Sequence, residues 1–133
     1  MPIYGMSQED RIYHGYDDMV RSFGKIVYKV TLGDWQRDYL YLIQGKEPHQ
    51  KWGYLKTGYG SCSGCDRYQA CDSIKELEHL RNQIFDSVQW FGNSGEALEF
   101  FEKHDWEGDY YGSTSEVLDF AKVCQDEINR TRL

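Results

Sequence analysis

Three consecutive segments, Gly24 to Leu32, Gln36 to Gln44 and Lys51 to Thr57, carry β-branched and aromatic residues at strand spacing, and only short Gly- and Pro-containing connections separate them. Connections of that length leave no room for a crossover, so the segments fold back on one another as a three-stranded antiparallel meander. Beyond them the period changes. Ser73, Asn93 and Ser113 are each followed three positions later by a glutamate (Glu76, Glu96 and Glu116), which is the pattern of a capping box and marks three helix starts. The first helix places Ile74, Leu77, Leu80, Ile84 and Val88 on one face and runs to near Gly92. The second, Ser94 to His104, carries Ala97, Leu98, Phe100 and Phe101. The third, Ser115 to Asn129, carries Val117, Leu118, Phe120, Ala121, Val123, Cys124 and Ile128. A fourth amphipathic stretch covers Ser7 to Ser22, with Gly15 as its weak point. The expected fold class is α+β, a three-stranded antiparallel meander packed with about four helices, in one domain over residues 1–133.

A chain of 133 residues, 40% hydrophobic, is large enough to bury a core without a metal or a disulfide to hold it. No apolar run approaches the ~20 residues that span a bilayer, and the start Met1-Pro2-Ile3-Tyr4-Gly5 lacks the basic and apolar regions of a leader. The expectation is a cytoplasmic protein whose four cysteines are thiols or ligands rather than a disulfide framework.

Charge is unevenly placed. Up to Gly60 the chain has 8 Lys and Arg against 7 Asp and Glu; beyond it, 7 against 15. Between Glu96 and Asp119, Lys103 is the single basic residue among Glu96, Glu99, Glu102, Asp105, Glu107, Asp109, Glu116 and Asp119. Such a field repels phosphates and attracts basic surfaces, which argues against direct nucleic-acid binding through this half. Within it, Trp106 and Tyr110 offer aromatic contact area beside Glu99, Glu102, Asp105, Glu107 and Asp109, the composition of a partner-binding surface. The same aromatics could instead fold back and seal the helix pair.

Gly58-Tyr59-Gly60-Ser61-Cys62-Ser63-Gly64-Cys65-Asp66, followed by Cys71, gathers three of the four cysteines into one small-residue connection. Cys62 and Cys65, separated by two residues, can reach one ion, and Cys71 can close around the same point; soft thiolates select zinc or an iron–sulfur centre. A tetrahedral site then needs a fourth ligand, with Cys124 first by chemistry and His49, His79 and Asp66 as alternatives. The other readings of the connection are a redox pair, a backbone nest for an anion with Arg67 adding charge, and a crowded joint whose cysteines are small buried apolar groups. The histidines are scattered, and no hydrolase triad or His-Glu-x2-His pattern occurs.

The run from Trp52 to Asp66, continuing to Cys71 and to Leu80-Arg81-Asn82-Gln83-Ile84-Phe85-Asp86-Ser87-Val88-Gln89-Trp90-Phe91, resembles a group of small uncharacterised proteins encoded by bacteriophages and bacterial genomes. The Gly-Ser-Cys-Ser-Gly-Cys-Asp stretch is the hallmark of the likeness, which covers about the middle third of the chain. It implies a phage or mobile-element setting, hence a host cytoplasm, and brings no activity with it. The resulting expectation is a small acidic accessory protein that binds a macromolecular partner through that partner's basic surface, as an inhibitor of a host defence or nucleic-acid-binding factor would. The competing expectation is a zinc- or iron-binding protein, structural or enzymatic, with Cys62, Cys65, Cys71 and Cys124 as ligands.

Overall fold

The computed structural model describes residues 7–33, 37–59, 67–107 and 114–131. After a 3-10 turn at Gln8–Asp10 come α1 (Tyr16–Arg21), β1 (Gly24–Leu32), β2 (Arg37–Gly45), a second 3-10 turn at Pro48–Gln50, and β3 (Trp52–Tyr59). These are followed by α2 (Ile74–Asp86), β4 (Gln89–Phe91), α3 (Ser94–Lys103) and α4 (Thr114–Arg130). The sheet is antiparallel throughout, in the order β1-β2-β3-β4.

The class is α+β as the sequence indicates, with one strand more than the meander of three. The first capped helix stops at Asp86 instead of running to Gly92, and Gln89, Trp90 and Phe91 pair with Tyr54, Gly53 and Trp52. Ser87 ends the helix by returning its N–H to the Gln83 and Ile84 carbonyls and its hydroxyl to Gln83 O. The aromatic pair that follows then has a use on both sides of the sheet, since Phe91 packs on one face and Trp90 on the other. Trp90 also explains Gly53 across the ladder: a Cβ there would sit 2.9 Å from the indole ring and 2.8 Å from Val88.

At the N-terminus the expected continuous helix is split. Gly15 adopts φ 135°, a region L-residues rarely occupy, so α1 begins only at Tyr16. The carboxylate of Asp18 accepts the His14 N–H at 3.0 Å across this break.

Alternation along the strands divides the apolar residues into two cores. Leu40 and Leu42 of β2 and Trp52 and Tyr54 of β3 face α3 and α4, where Ala97, Phe101, Val117, Phe120, Ala121, Cys124 and Ile128 complete one core. Tyr41 and Ile43 of β2 and Leu55 of β3 face α1 and α2, where Met19, Val20, Leu77, Leu80 and Ile84 complete the other. Helices therefore cover both faces of one sheet. A bulge between Ile26 and Tyr28 shifts the β1–β2 register, so Ile26 joins the α1/α2 side while both Val27 and Tyr28 pack on the α3/α4 side. Ile74 and Leu118, read from the sequence as core positions, are 46% and 51% exposed. Leu118 lies about 100° round the helix from the buried Val117, which turns it outward.

Two of the capping boxes form. Ser73 Oγ accepts the Glu76 N–H at 3.1 Å, and Asn93 Oδ1 accepts the Glu96 N–H at 2.8 Å. The glutamates reach back one residue further than the cap itself, Glu76 to the Asp72 N–H and Glu96 to the Gly92 N–H at 3.1 Å. Ser113 lies outside the described residues.

Candidate functional site

The two surfaces singled out by the sequence lie in different layers. On the α1/α2 side, the chain leaves β3 at Tyr59 and returns through a turn at residues 67–70 to Cys71 and α2. Cys62, Cys65 and Asp66 lie outside the described residues. Cys71 is 6% exposed; its Sγ donates to the Arg67 carbonyl at 3.3 Å and its N–H to the Tyr68 carbonyl at 3.2 Å. Burial, and then the Glu76 charge, pushes its thiol above the usual cysteine range. Cys124 is fully buried in α4, and burial pushes its thiol up strongly as well.

The two cysteines belong to the cores on opposite faces of the sheet, so one ion cannot take both. The four-thiolate set of Cys62, Cys65, Cys71 and Cys124 is thereby corrected: Cys124 is a small apolar group of the α3/α4 core. His49 stands exposed in the Pro48–Gln50 turn, and His79, exposed on α2, has its Nε2 3.2 Å from Gln83 Nε2. Among the described residues no group of three or more His, Cys, Asp or Glu side chains is placed to hold a metal ion.

What fixes the return of the chain at Cys71 is a clamp from the N-terminal segment. Arg11 donates to the Tyr68 carbonyl and to the Cys71 carbonyl, both at 3.1 Å, with its guanidinium 4.8 Å from the centre of the Tyr68 ring. The Tyr68 N–H donates to Tyr16 Oη at 3.1 Å, and its hydroxyl donates to the Tyr13 carbonyl at 2.9 Å. Beside this clamp, Asp17 Oδ1 receives the Tyr41 hydroxyl at 2.7 Å and the Lys29 ammonium at 2.9 Å, and the same ammonium lies 3.9 Å from the centre of the Tyr39 ring. Burial alone would raise the Asp17 carboxyl, but hydrogen bonds from Lys29 and Tyr41 and the charges of Lys29 and Arg21 outweigh it, leaving the carboxyl below its ordinary value. Tyr41 is pushed far up by burial and by the neighbouring carboxylate. No local pattern in the sequence points to these residues, because each of these hydrogen-bonding and ring partners lies ten or more positions away.

On the α3/α4 side, Glu99, Glu102, Asp105 and Glu107 are exposed. Glu99 pairs with Lys103 at 3.0 Å, and Asp105 Oδ1 accepts the Glu107 N–H at 3.0 Å, which fixes the turn after α3. Trp106 is not a surface anchor. It is 5% exposed, donates its indole N–H to the Phe101 carbonyl at 3.1 Å, and stacks nearly parallel to the Phe101 ring. The alternative in which the aromatic folds back and seals the helix pair is the one the structure adopts. Asp109 and Tyr110 lie outside the described residues.

Between β4 and α3 opens a groove of about 530 Å³ lined by Gln89, Phe91, Glu96, Glu99, Phe100, Lys103 and His104. Phe100, half-buried, packs at a tilt against Phe91, with ring centres 5.0 Å apart, and against His104, 4.7 Å apart. Burial against these rings holds the His104 imidazole below its usual range, with Asp105 pulling the other way. The groove thus combines an aromatic wall with a carboxylate rim. It replaces Trp106 with Phe100, a residue the sequence assigned to the core, as the aromatic beside the acids. Among the described residues no helix is long and apolar enough to cross a membrane.

The chain matches no protein-family model, and neither curated proteins nor solved structures provide a match.

Proposed function

We infer that the protein is a small acidic binding module whose α3 side docks a basic surface of a macromolecular partner. The observation that carries this reading is the groove between β4 and α3, where Phe91 and Phe100 lie beside Glu96 and Glu99. Glu96, Glu99 and Glu102 recur at a spacing of three on α3, so they neighbour one another along one side of the helix, and Asp105 and Glu107 extend the acid beyond its end. An arginine from a partner could lay its guanidinium on the Phe100 ring and its N–H groups on the Glu99 carboxylate. The surrounding carboxylates would speed encounter and reject phosphate-bearing competitors. In the setting that the sequence resemblance implies, a host nucleic-acid-binding factor is the concrete partner class, since its basic surface is built to meet anions.

The test uses an Arg-rich peptide as probe, followed by isothermal titration in 50 and 200 mM salt. The reading expects saturable, salt-sensitive binding that Glu99→Lys with Glu102→Lys abolishes and that Asp126→Lys on α4 leaves nearly intact. Equal loss in both variants would reduce the effect to net charge and overturn a site on α3. Phe100→Ala should weaken binding at unchanged charge.

A further inference from the structure

On the opposite side of the sheet from α3, a second groove of about 440 Å³ runs between the turn at residues 67–70 and α2, from Lys75 to Gln83. Its apolar part is made by Ala70, Leu80 and the Cys71 side chain, and its polar rim by Arg67, Lys75, Glu76, His79 and Gln83. In a chain of net charge -7 this rim runs against the overall sign. Arg67 and Lys75 bring two cations, and Glu76 brings one carboxylate whose Oε2 is already engaged by the Asp72 N–H.

The cations are presented in different ways. Arg67 is held by its Nη2 donating to Gln83 Oε1 at 2.6 Å, and Gln83 in turn meets His79, so a chain of three side chains sets the guanidinium at the rim. Among the described residues this is the guanidinium's one hydrogen bond, which leaves most of its five N–H donors for a ligand. Lys75, exposed in the first turn of α2, makes no ion pair among the described residues. Below them the groove floor is fixed, since Leu80 is buried in the α1/α2 core and Cys71 is locked to the Arg67 carbonyl. A concave apolar floor with a few convergent polar groups, at a volume of a few hundred Å³, is the usual form of a small-molecule site.

We propose that this groove binds a small amphipathic anion, an aromatic or aliphatic body carrying one sulfonate, carboxylate or phosphate group. The apolar body lies on Ala70 and Leu80, and the anionic group takes N–H donors from Arg67 and the ammonium of Lys75. Arg67 is the specificity residue because its fork can hold two oxygens at once. Gln83 is a positioning residue that acts through Arg67.

The test uses 8-anilinonaphthalene-1-sulfonate as the probe, with fluorescence titration for affinity and amide chemical-shift mapping of the unmodified protein for location. Saturable one-to-one binding is expected, with the shifts concentrated on Arg67, Ala70, Lys75, Leu80 and Gln83. N-phenyl-1-naphthylamine, the same body without the sulfonate, should bind at least tenfold more weakly, as should the probe to R67Q/K75Q. A70W, which fills the groove from an exposed position, should abolish binding at an unchanged melting midpoint. Shifts that map elsewhere, equal affinity for the neutral analogue, or binding unaffected by R67Q/K75Q would each overturn the proposal.

Discussion

Removing one oxygen atom from the molecule, in Tyr41→Phe, isolates a buried interaction whose cost and pH dependence both follow from the structure. Tyr41 is fully buried in the sheet, and its hydroxyl donates to Asp17 Oδ1 at 2.7 Å, the same oxygen that Lys29 reaches at 2.9 Å. A hydrogen bond to a charged acceptor contributes about 1.5–3 kcal/mol. The Asp17 side chain keeps 35% of its surface, so water can take over part of the lost bond, and Lys29 remains on the same oxygen. These two effects place the expected loss near the lower bound, about 1.5 kcal/mol at pH 7. Because the folded carboxyl lies below its ordinary value, the stability it contributes is fully present above the unfolded pKa of about 3.9 and is lost as pH falls through the folded value. The difference between wild type and Tyr41→Phe should therefore be constant from pH 7 to about pH 5 and shrink below pH 4, where a neutral carboxyl accepts the hydroxyl less strongly. Urea unfolding followed by tryptophan fluorescence at pH 7, 5 and 3.5 measures this directly, with an unchanged denaturant slope as the control for an intact native state. Asp17→Asn completes a double-mutant cycle with Tyr41→Phe. A loss under about 0.5 kcal/mol at pH 7, or a difference that widens on acidification, would refute the assignment of this bond.

Two further outcomes follow from burial. Trp106→Ala should destabilise the protein by about 3–5 kcal/mol, as for a large aromatic removed from a core, whereas Glu107→Lys next to it should stay within about 0.5 kcal/mol; thermal unfolding of the two variants separates a core residue from a surface one. In a Cys62→Ser/Cys65→Ser background, Cys71 and Cys124 should react with a disulfide reagent only as fast as the structure opens, and addition of urea should accelerate both.

What could be read from the sequence is what is decided locally. The caps at Ser73 and Asn93 were visible because donor and acceptor sit three residues apart. β1, β2 and β3 were visible because eight or nine residues are enough to show strand composition. β4 has three residues, too few to show alternation, and its pairing with Trp52 to Tyr54 is a tertiary choice. The face of the sheet each helix covers is likewise not written in its own residues, so Cys71 and Cys124 look like partners in sequence and lie in separate cores in the structure. Trp106 illustrates the same limit at a single residue: the composition of its segment fits an exposed aromatic as well as a buried one, and only the Phe101 carbonyl and ring decide. The groove at Arg67 was half legible. Arg67 was visible as a charge near the glycine-rich connection, while Lys75, His79 and Gln83 come to it through the path of α2.

The register shift in β1 reaches beyond packing. A sheet of four strands has two unpaired edges, and an unpaired edge is a template on which another chain can add a strand. Here one edge is β4, three residues long, which covers β3 only at Trp52 to Tyr54. The other, β1, is nine residues long and would be the dangerous one. The irregularity between Ile26 and Tyr28 breaks its repeat of outward N–H and C=O groups, and Lys25 and Lys29 flank the break. A strand arriving from outside on β1 is limited to the five regular residues Tyr28 to Leu32, so the device that lets Val27 and Tyr28 share a face also shortens the edge open to self-association.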